Sequence, residues 1–535
     1  MRAAGIAPPM SGIAALAQRI LEHRAAARPS WATQVGLTGH DHELRDPSRE
    51  GFEAEARALA TFLAEAEASP ASLDRDALAT QLRVELFDLR EARTWARNPD
   101  VAGECFDHLL SLLLAAHLSP DERSAALLAR LRGCEAYFSR AWSRFDPAVV
   151  PKLWVEGAKR AAAGADAFLD AVREAAGGPD VEDAIASARR ALATHARWLD
   201  DLHAKAGGDV ALGEAPFRRL LALRHVDDAP EELLALGESL VARFRGEMEE
   251  AAGLVLAEAG KDAQAGDEAV RAALEIVRAD HPRSFAEVLA AYRQAIDDAR
   301  AFTLAQGLAT VPDVPLDVVE TPTFLRHVIP FAAYMGPARF ATPRRGVYLV
   351  TPKVDLASFP RADTRNVTVH EAYPGHHLQL SAAAESASLA AFLCDMPDLT
   401  EGWALYCEAL CGARGYTAAP AERLIRARDA RWRAVRIVLD VALHTARVTP
   451  AQAAERLARE TGMDAEEAEA EVLRYTQSPA YNLSYMWGRL RLEALRERLL
   501  SRGGSERAFH DAILRRGSVS VALLARELES GIRQD

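Results

Sequence analysis

A mainly α fold, a large helical body carrying a small β-sheet, is predicted from three observations. Alanine, leucine, arginine and glutamate dominate the 535 residues. Apolar positions recur at helical spacing in one long segment after another. Strand-like composition is confined to two short stretches, both beyond residue 310.

In chain order, helical periodicity covers Phe52 to Ala66, Leu78 to Ala96, Leu153 to Ala175, Ala184 to Leu202, Glu231 to Ala259 and Ser284 to Ala305. Gly207-Gly208 and Gly503-Gly504 mark loops between helices. Leu316 to Glu320, between Pro315 and Thr321-Pro322, reads as a short strand. Arg345 to Thr351, bounded by Pro343 and Pro352, reads as its neighbour and as an edge strand, either one to which an extended substrate would add through main-chain hydrogen bonds or part of a purely structural hairpin. Length alone suggests roughly three or four domains. The continuity of the helical pattern predicts instead one body, with a boundary near Thr310 between an N-terminal helical region, 1–309, and a metal-site-bearing catalytic region, 310–535.

The run His370-Glu371-Ala372-Tyr373-Pro374-Gly375-His376-His377 sets metal ligands beside a carboxylate in what reads as a helix. A neutral imidazole is a good zinc ligand, and a glutamate one residue after the first histidine is placed to take a proton from a water acidified by the metal. The spacing is stretched relative to His-Glu-x-x-His, because proline stands at position 374. At about 100° per residue, a side chain seven residues on returns to the same face but roughly 10 Å further along, and one six residues on lies about 120° off. Pro374 removes the amide that would bond the His370 carbonyl, and Gly375 tolerates almost any backbone angle. A bulge there brings His376 round, which makes it the preferred ligand, with His377 the alternative.

Glu401-Gly402-Trp403-Ala404-Leu405-Tyr406-Cys407-Glu408 opens a further helical segment after the turn-like Met396-Pro397-Asp398. Glu401 and Glu408 lie seven apart and share a helix face. A catalytic zinc takes three protein ligands and leaves one position for water. Glu401 is the expected third ligand, and Glu408 the group that orients a histidine ring N–H.

With these motifs the chain resembles the bacterial DUF885 proteins, of the zincin-like metallopeptidase superfamily. The family's His-Glu-x-x-Pro-Gly-His core with a following glutamine appears as His370 through His376 and Gln379, and its Glu-Gly-Trp-x-x-Tyr-x-Glu element as Glu401 through Glu408. Arg436, Asp440 and His444 match an arginine, aspartate and histidine at four-residue spacing; Arg474-Tyr475, Pro479, Ser484-Tyr485 and Gly488 match a later pattern. Ala442, where glycine is expected, and Tyr481, where glutamine is common, depart from the family pattern away from the proposed ligands. The resemblance implies metal-dependent hydrolysis in a zincin-like, mostly helical body with a central cleft between two lobes.

Arg436, Asp440 and His444 form one polar stripe on a long helix from about Ala418 to Arg447, among valine, leucine and isoleucine. A buried polar stripe needs partners. His444 is placed to bond an oxyanion, Asp440 to orient its imidazole, and Arg436 to hold a substrate carboxylate or lock the network. An Arg-Asp-His network that only ties helices together is the competing reading. Tyr485 is the better candidate for the oxyanion, since its phenol donates while neutral near pH 7. Tyr481 lies one turn earlier on the same face, and Arg489, one turn later, faces either a substrate carboxylate or Glu493.

The formal net charge of -13 argues against a nucleic-acid partner. Five cysteines, Cys105, Cys134, Cys394, Cys407 and Cys411, show no disulfide framework and fit a reducing compartment. Ile13 to Leu21 is interrupted by Gln18 and Arg19, so neither a secretory signal nor a membrane span is expected, and the protein reads as cytoplasmic. The combined expectation is a zinc hydrolase of peptide or small amide substrates, with His370, His376 and Glu401 as ligands and Glu371 as general base. A metal-dependent amidohydrolase or tailoring enzyme on a small metabolite, and a noncatalytic peptide-binding protein, are the alternatives.

Overall fold

Helix starts follow directly from the sequence. Ser119 Oγ accepts the Glu122 amide while Glu122 reaches back to the Ser119 amide at 2.9 Å, a reciprocal cap for the Pro120–Trp142 helix. Proline also opens the Pro230–Glu258, Pro397–Ala413 and Pro420–His444 helices, where its missing N–H has no partner to lose. The computed structural model describes residues 12–261, 266–323, 326, 329 and 331–531. Among these the protein is mainly helical, with one three-stranded sheet.

The periodic segments become helices with nearly the expected ends: Arg49–Ala68, Lys152–Ala176, Pro179–Lys205, Pro230–Glu258 and Phe285–Ala305. The exception is Leu78 to Ala96. There the Leu73–Phe87 helix passes into a π-helical turn, Asp88–Ala92; Arg93 takes a left-handed φ of 48°, and a short Thr94–Arg97 helix follows. Thr94 Oγ1 donates to Asp88 Oδ1 at 2.6 Å, a local side-chain bond that competes with continued helix.

Four helices, Val101–Leu114, Pro120–Trp142, Lys152–Ala176 and Pro179–Lys205, share a core around Leu109, Leu127, Phe138, Leu169 and Leu199. The Pro230–Glu258 helix lies along Pro420–His444, and Gly237 permits the approach: a Cβ there would sit 2.6 Å from Val438 Cγ2. Core packing crosses the boundary expected near Thr310. Leu78 and Leu82 pack with Leu393, Phe217 and Phe244 with Leu405 and Leu439, and Met248 and Val255 with Leu424. Residues 1–309 and 310–535 are therefore not separate cores, because the apolar faces of the N-terminal helices find their partners in the C-terminal half.

The sheet has the order β1-β3-β2, with β1 Leu316–Glu320, β2 Ala332–Met335 and β3 Gly346–Val350. β1 runs parallel to β3, with Leu316 opposite Gly346, and β2 runs antiparallel, with Ala332 opposite Val350. The stretch expected to be an edge strand is thus the central one. Its composition agrees in retrospect: Tyr348, Leu349 and Val350 are successive buried residues, the signature of a strand covered on both faces. Gly346 brings β3 against the histidine run, since a Cβ there would lie 2.7 Å from His377 Nδ1.

Candidate metal centre

The histidine run is not one helix. The first histidine helix, Arg361–Glu371, ends at Ala372, whose φ of -113° and ψ of -90° leave the helical region, and the second histidine helix, His376–Glu385, starts after Gly375. A Cβ on Gly375 would lie 1.9 Å from the His370 carbonyl oxygen, so the chain folds back onto His370 at a point where only glycine fits. Trp403 Nε1 donates to the Pro374 carbonyl at 2.8 Å and holds the break from the Pro397–Ala413 helix.

This reversal sets the His376 ring against His370, with centroids 4.7 Å apart and planes at 88°. Glu401, in the Pro397–Ala413 helix, directs Oε2 to 3.5 Å from His376 Nε2 and 3.9 Å from His370 Nε2. One donor atom from each of His370, His376 and Glu401 lies within 4.8 Å of the others. Donors about 2.0–2.1 Å from a tetrahedral zinc stand roughly 3.4 Å apart, so a small contraction accommodates the ion. Glu408, two turns after Glu401, accepts from His370 Nδ1 at 2.6 Å, which turns Nε2 toward the cluster.

The electrostatics favour a cation. Burial pushes the Glu401 carboxyl up, but the His376 hydrogen bond, the charges of His376 and His370 and a bond from Tyr481 bring it down to about 2. Burial pushes His376 down, yet its bond to Glu401 and the charges of Glu371, Glu401 and Glu408 leave it above its ordinary value. His376 Nδ1 is buried without a partner among the described residues. Two imidazoles and one carboxylate, with the Glu371 and Glu408 charges nearby, form a donor set that suits zinc.

Glu371 ends the first histidine helix half-buried, and its charge is felt at His376, Tyr334 and Tyr348. Tyr481 Oη donates to Glu401 Oε1 at 2.7 Å and lies 3.4 Å from Tyr485 Oη. Tyr485 stands in the tyrosine helix, Ser484–Leu500, under the Arg436 guanidinium, 4.8 Å from its ring centroid; burial and the Glu401 charge raise its phenol, which stays protonated at neutral pH. A glycine crossing brings the glutamate and tyrosine helices together: a Cβ on Gly488 would lie 2.0 Å from the Asp398 carbonyl oxygen, and one on Gly402 would lie 2.7 Å from the Gly488 carbonyl carbon.

Other expected site residues are engaged elsewhere. His377 accepts from Tyr334 Oη at 2.9 Å on Nδ1 and donates Nε2 to the Val314 carbonyl at 3.0 Å, so both nitrogens are occupied outside the cluster. His444 stacks on Phe217 with its Nε2 3.1 Å from the Tyr475 carbonyl, and Asp440 accepts the Ala480 and Leu483 amides. Arg436 donates to Tyr475 Oη and Glu471 and is sandwiched between aromatic rings, while Arg489 donates to Glu493 at 2.8 Å. Sequence reasoning missed Tyr334, whose short Ala-Ala-Tyr-Met strand carries little β signature, and the Gly402–Gly488 pairing, which no spacing rule exposes.

The architecture is one already seen in solved structures. A chain from Colwellia psychrerythraea, described as a "putative lipoprotein", matches with a TM-score of 0.83 at 20% identity, covering 98% of this chain and 99% of its own. One from Shewanella oneidensis, described in the same words with "of unknown function" added, matches with a TM-score of 0.79 at 22% identity over 97% and 100%. At these identities the likeness is one of fold. No curated protein matches. The sequence family described as "Bacterial protein of unknown function (DUF885)" spans residues 29–528, which takes in the helical body, the sheet and the whole of the His370, His376 and Glu401 cluster: the chain belongs to the DUF885 family.

Proposed function

We propose that the protein is a zinc-dependent hydrolase of peptide or small amide bonds, with the zincin-like logic of two histidines and a glutamate as ligands. The convergence of His370, His376 and Glu401, with Glu408 fixing the His370 ring, carries this reading. A zinc ion held there supplies Lewis acidity, polarising a carbonyl and making a neighbouring water easier to deprotonate. Glu371 follows His370 directly and takes the proton of the attacking water, then passes it to the leaving amine. Tyr485 donates its phenolic hydrogen to the carbonyl oxygen as that oxygen gains charge. Tyr481 keeps Glu401 in place from the far side of its carboxylate.

The test is turnover of a mixed peptide library by zinc-loaded protein and by Glu371→Gln. The variant keeps its zinc and loses at least about 100-fold in rate. Near wild-type turnover in Glu371→Gln removes the assignment, and tight peptide binding without turnover in the wild type points to a binding protein on the same scaffold.

A further inference from the structure

The turn at residues 478–483, just before the tyrosine helix, is buried and conformationally committed. Ala480, Asn482 and Leu483 are each at most 1% exposed, and Ala480 holds a left-handed φ of 59°, a region that a residue with a Cβ enters only when its surroundings impose it. Two polar side chains impose it from opposite sides. Asp440, on the Pro420–His444 helix, accepts the Ala480 amide at 2.9 Å and the Leu483 amide at 3.0 Å, one on each carboxylate oxygen. Arg224, which follows the Glu214–Leu223 helix of the N-terminal half, donates to the Ala480 carbonyl at 2.8 Å. Between the residues so held stands Tyr481, whose phenol bonds Glu401 Oε1 at 2.7 Å.

We infer that Asp440 and Arg224 are positioning residues for the metal centre: they clamp the 478–483 turn so that Tyr481 fixes the carboxylate of Glu401. This rests on the reading of Glu401 as a zinc ligand. Glu401 leaves Oε2 toward the histidines while Tyr481 occupies Oε1, so a loosened turn frees the carboxylate to rotate and weakens the site. The polar stripe of the long helix thereby gains a role beside the metal without touching it. The clamp also ties the ligand geometry to a residue outside every motif of the catalytic half.

Zinc affinity, measured by competition with a chromogenic chelator, tests the coupling without reference to any substrate. Tyr481→Phe is expected to lower affinity about 10-fold, the scale of losses when a ligand's hydrogen-bond partner is removed. Asp440→Asn keeps the side chain's shape but offers one acceptor instead of two, and Arg224→Met removes the donor to Ala480. Each is expected to lower affinity about 5- to 10-fold in the wild-type background and less than about twofold in the Tyr481→Phe background, with Arg224→Lys recovering most of the loss. Equal losses in both backgrounds, or unchanged affinity in Tyr481→Phe, overturn the clamp while leaving the zinc site standing. A wild type that binds no zinc overturns both the clamp and the function it rests on.

Discussion

Within the run from His370 to His377 the three imidazoles meet different neighbours. His370 and His376 turn Nε2 toward Glu401, whereas His377 spends both nitrogens on Tyr334 and the Val314 carbonyl. His444 shows how a fourth histidine of polar appearance serves packing. Burial lowers it from 6.5 to about 4, so the folded protein holds it neutral. Between those two values the unfolded chain takes up the proton and the folded one resists it, so the stabilisation present above pH 6.5 is lost as pH falls toward 4. The full window corresponds to about 3 kcal/mol. The neighbouring Asp440 carboxyl, pushed up to about 7 by burial, acts in the opposite sense, so the comparison is between wild type and His444→Asn. The stability advantage of wild type over the variant, from urea titrations, shrinks from pH 7 to 4.5; a constant difference contradicts the buried neutral state. The cluster of His370, His376 and Glu401 was readable at this scale because residue type and spacing carry it. The role of His444 was not, because the same four-residue spacing serves an active-site stripe and a buried strut equally.

At the scale of elements, the site depends on one broken helix and one close crossing. Proline and glycine at 374 and 375 signal an interruption, and the sequence supports a bulge; the structure goes further and ends one helix before starting the next. The crossing of the glutamate and tyrosine helices at Gly402 and Gly488 places Glu401 within reach of Tyr481 and brings Tyr485 alongside. Gly488→Ala sets a methyl against the Asp398 carbonyl and pushes the helices apart, at a cost of about 1–3 kcal/mol by the usual scale of overpacking. Its thermal midpoint is expected to fall and its zinc affinity with it, whereas Gly164→Ala, in open space inside another helix, leaves zinc affinity unchanged and holds or slightly raises the midpoint, since alanine is the better helix former. An unaffected Gly488→Ala protein removes the crossing from the account. The helices were legible because each repeats its pattern over several turns. The rank of β3 in the sheet was not, since edge and centre differ by the presence of β2, four residues with no alternation to announce them.

For the whole molecule, the consequence of shared cores is cooperative dependence between the halves. The Pro230–Glu258 helix covers the Pro420–His444 helix that carries Arg436 and Asp440, and Arg224 reaches the turn beside the cluster of His370, His376 and Glu401. Residues 310–535 produced alone therefore expose the apolar faces that Phe217, Leu240 and Phe244 cover in the full chain. Calorimetry is expected to show one main transition for the full chain and none for the 310–535 fragment. A fragment that melts cooperatively and binds zinc as the full chain does shows the halves to be independent. Motif density marks residues 310–535 in the sequence as the half that carries the candidate site. Packing between distant helices leaves no local trace there, so the common core emerged only in three dimensions.

The most direct test of the account is the zinc content of purified protein, by elemental analysis, for wild type, His376→Ala and His377→Ala. About one zinc per chain is expected in wild type and in His377→Ala, with loss in His376→Ala. Wild type without zinc, or zinc lost with His377 and retained without His376, contradicts a zinc site made of His370, His376 and Glu401.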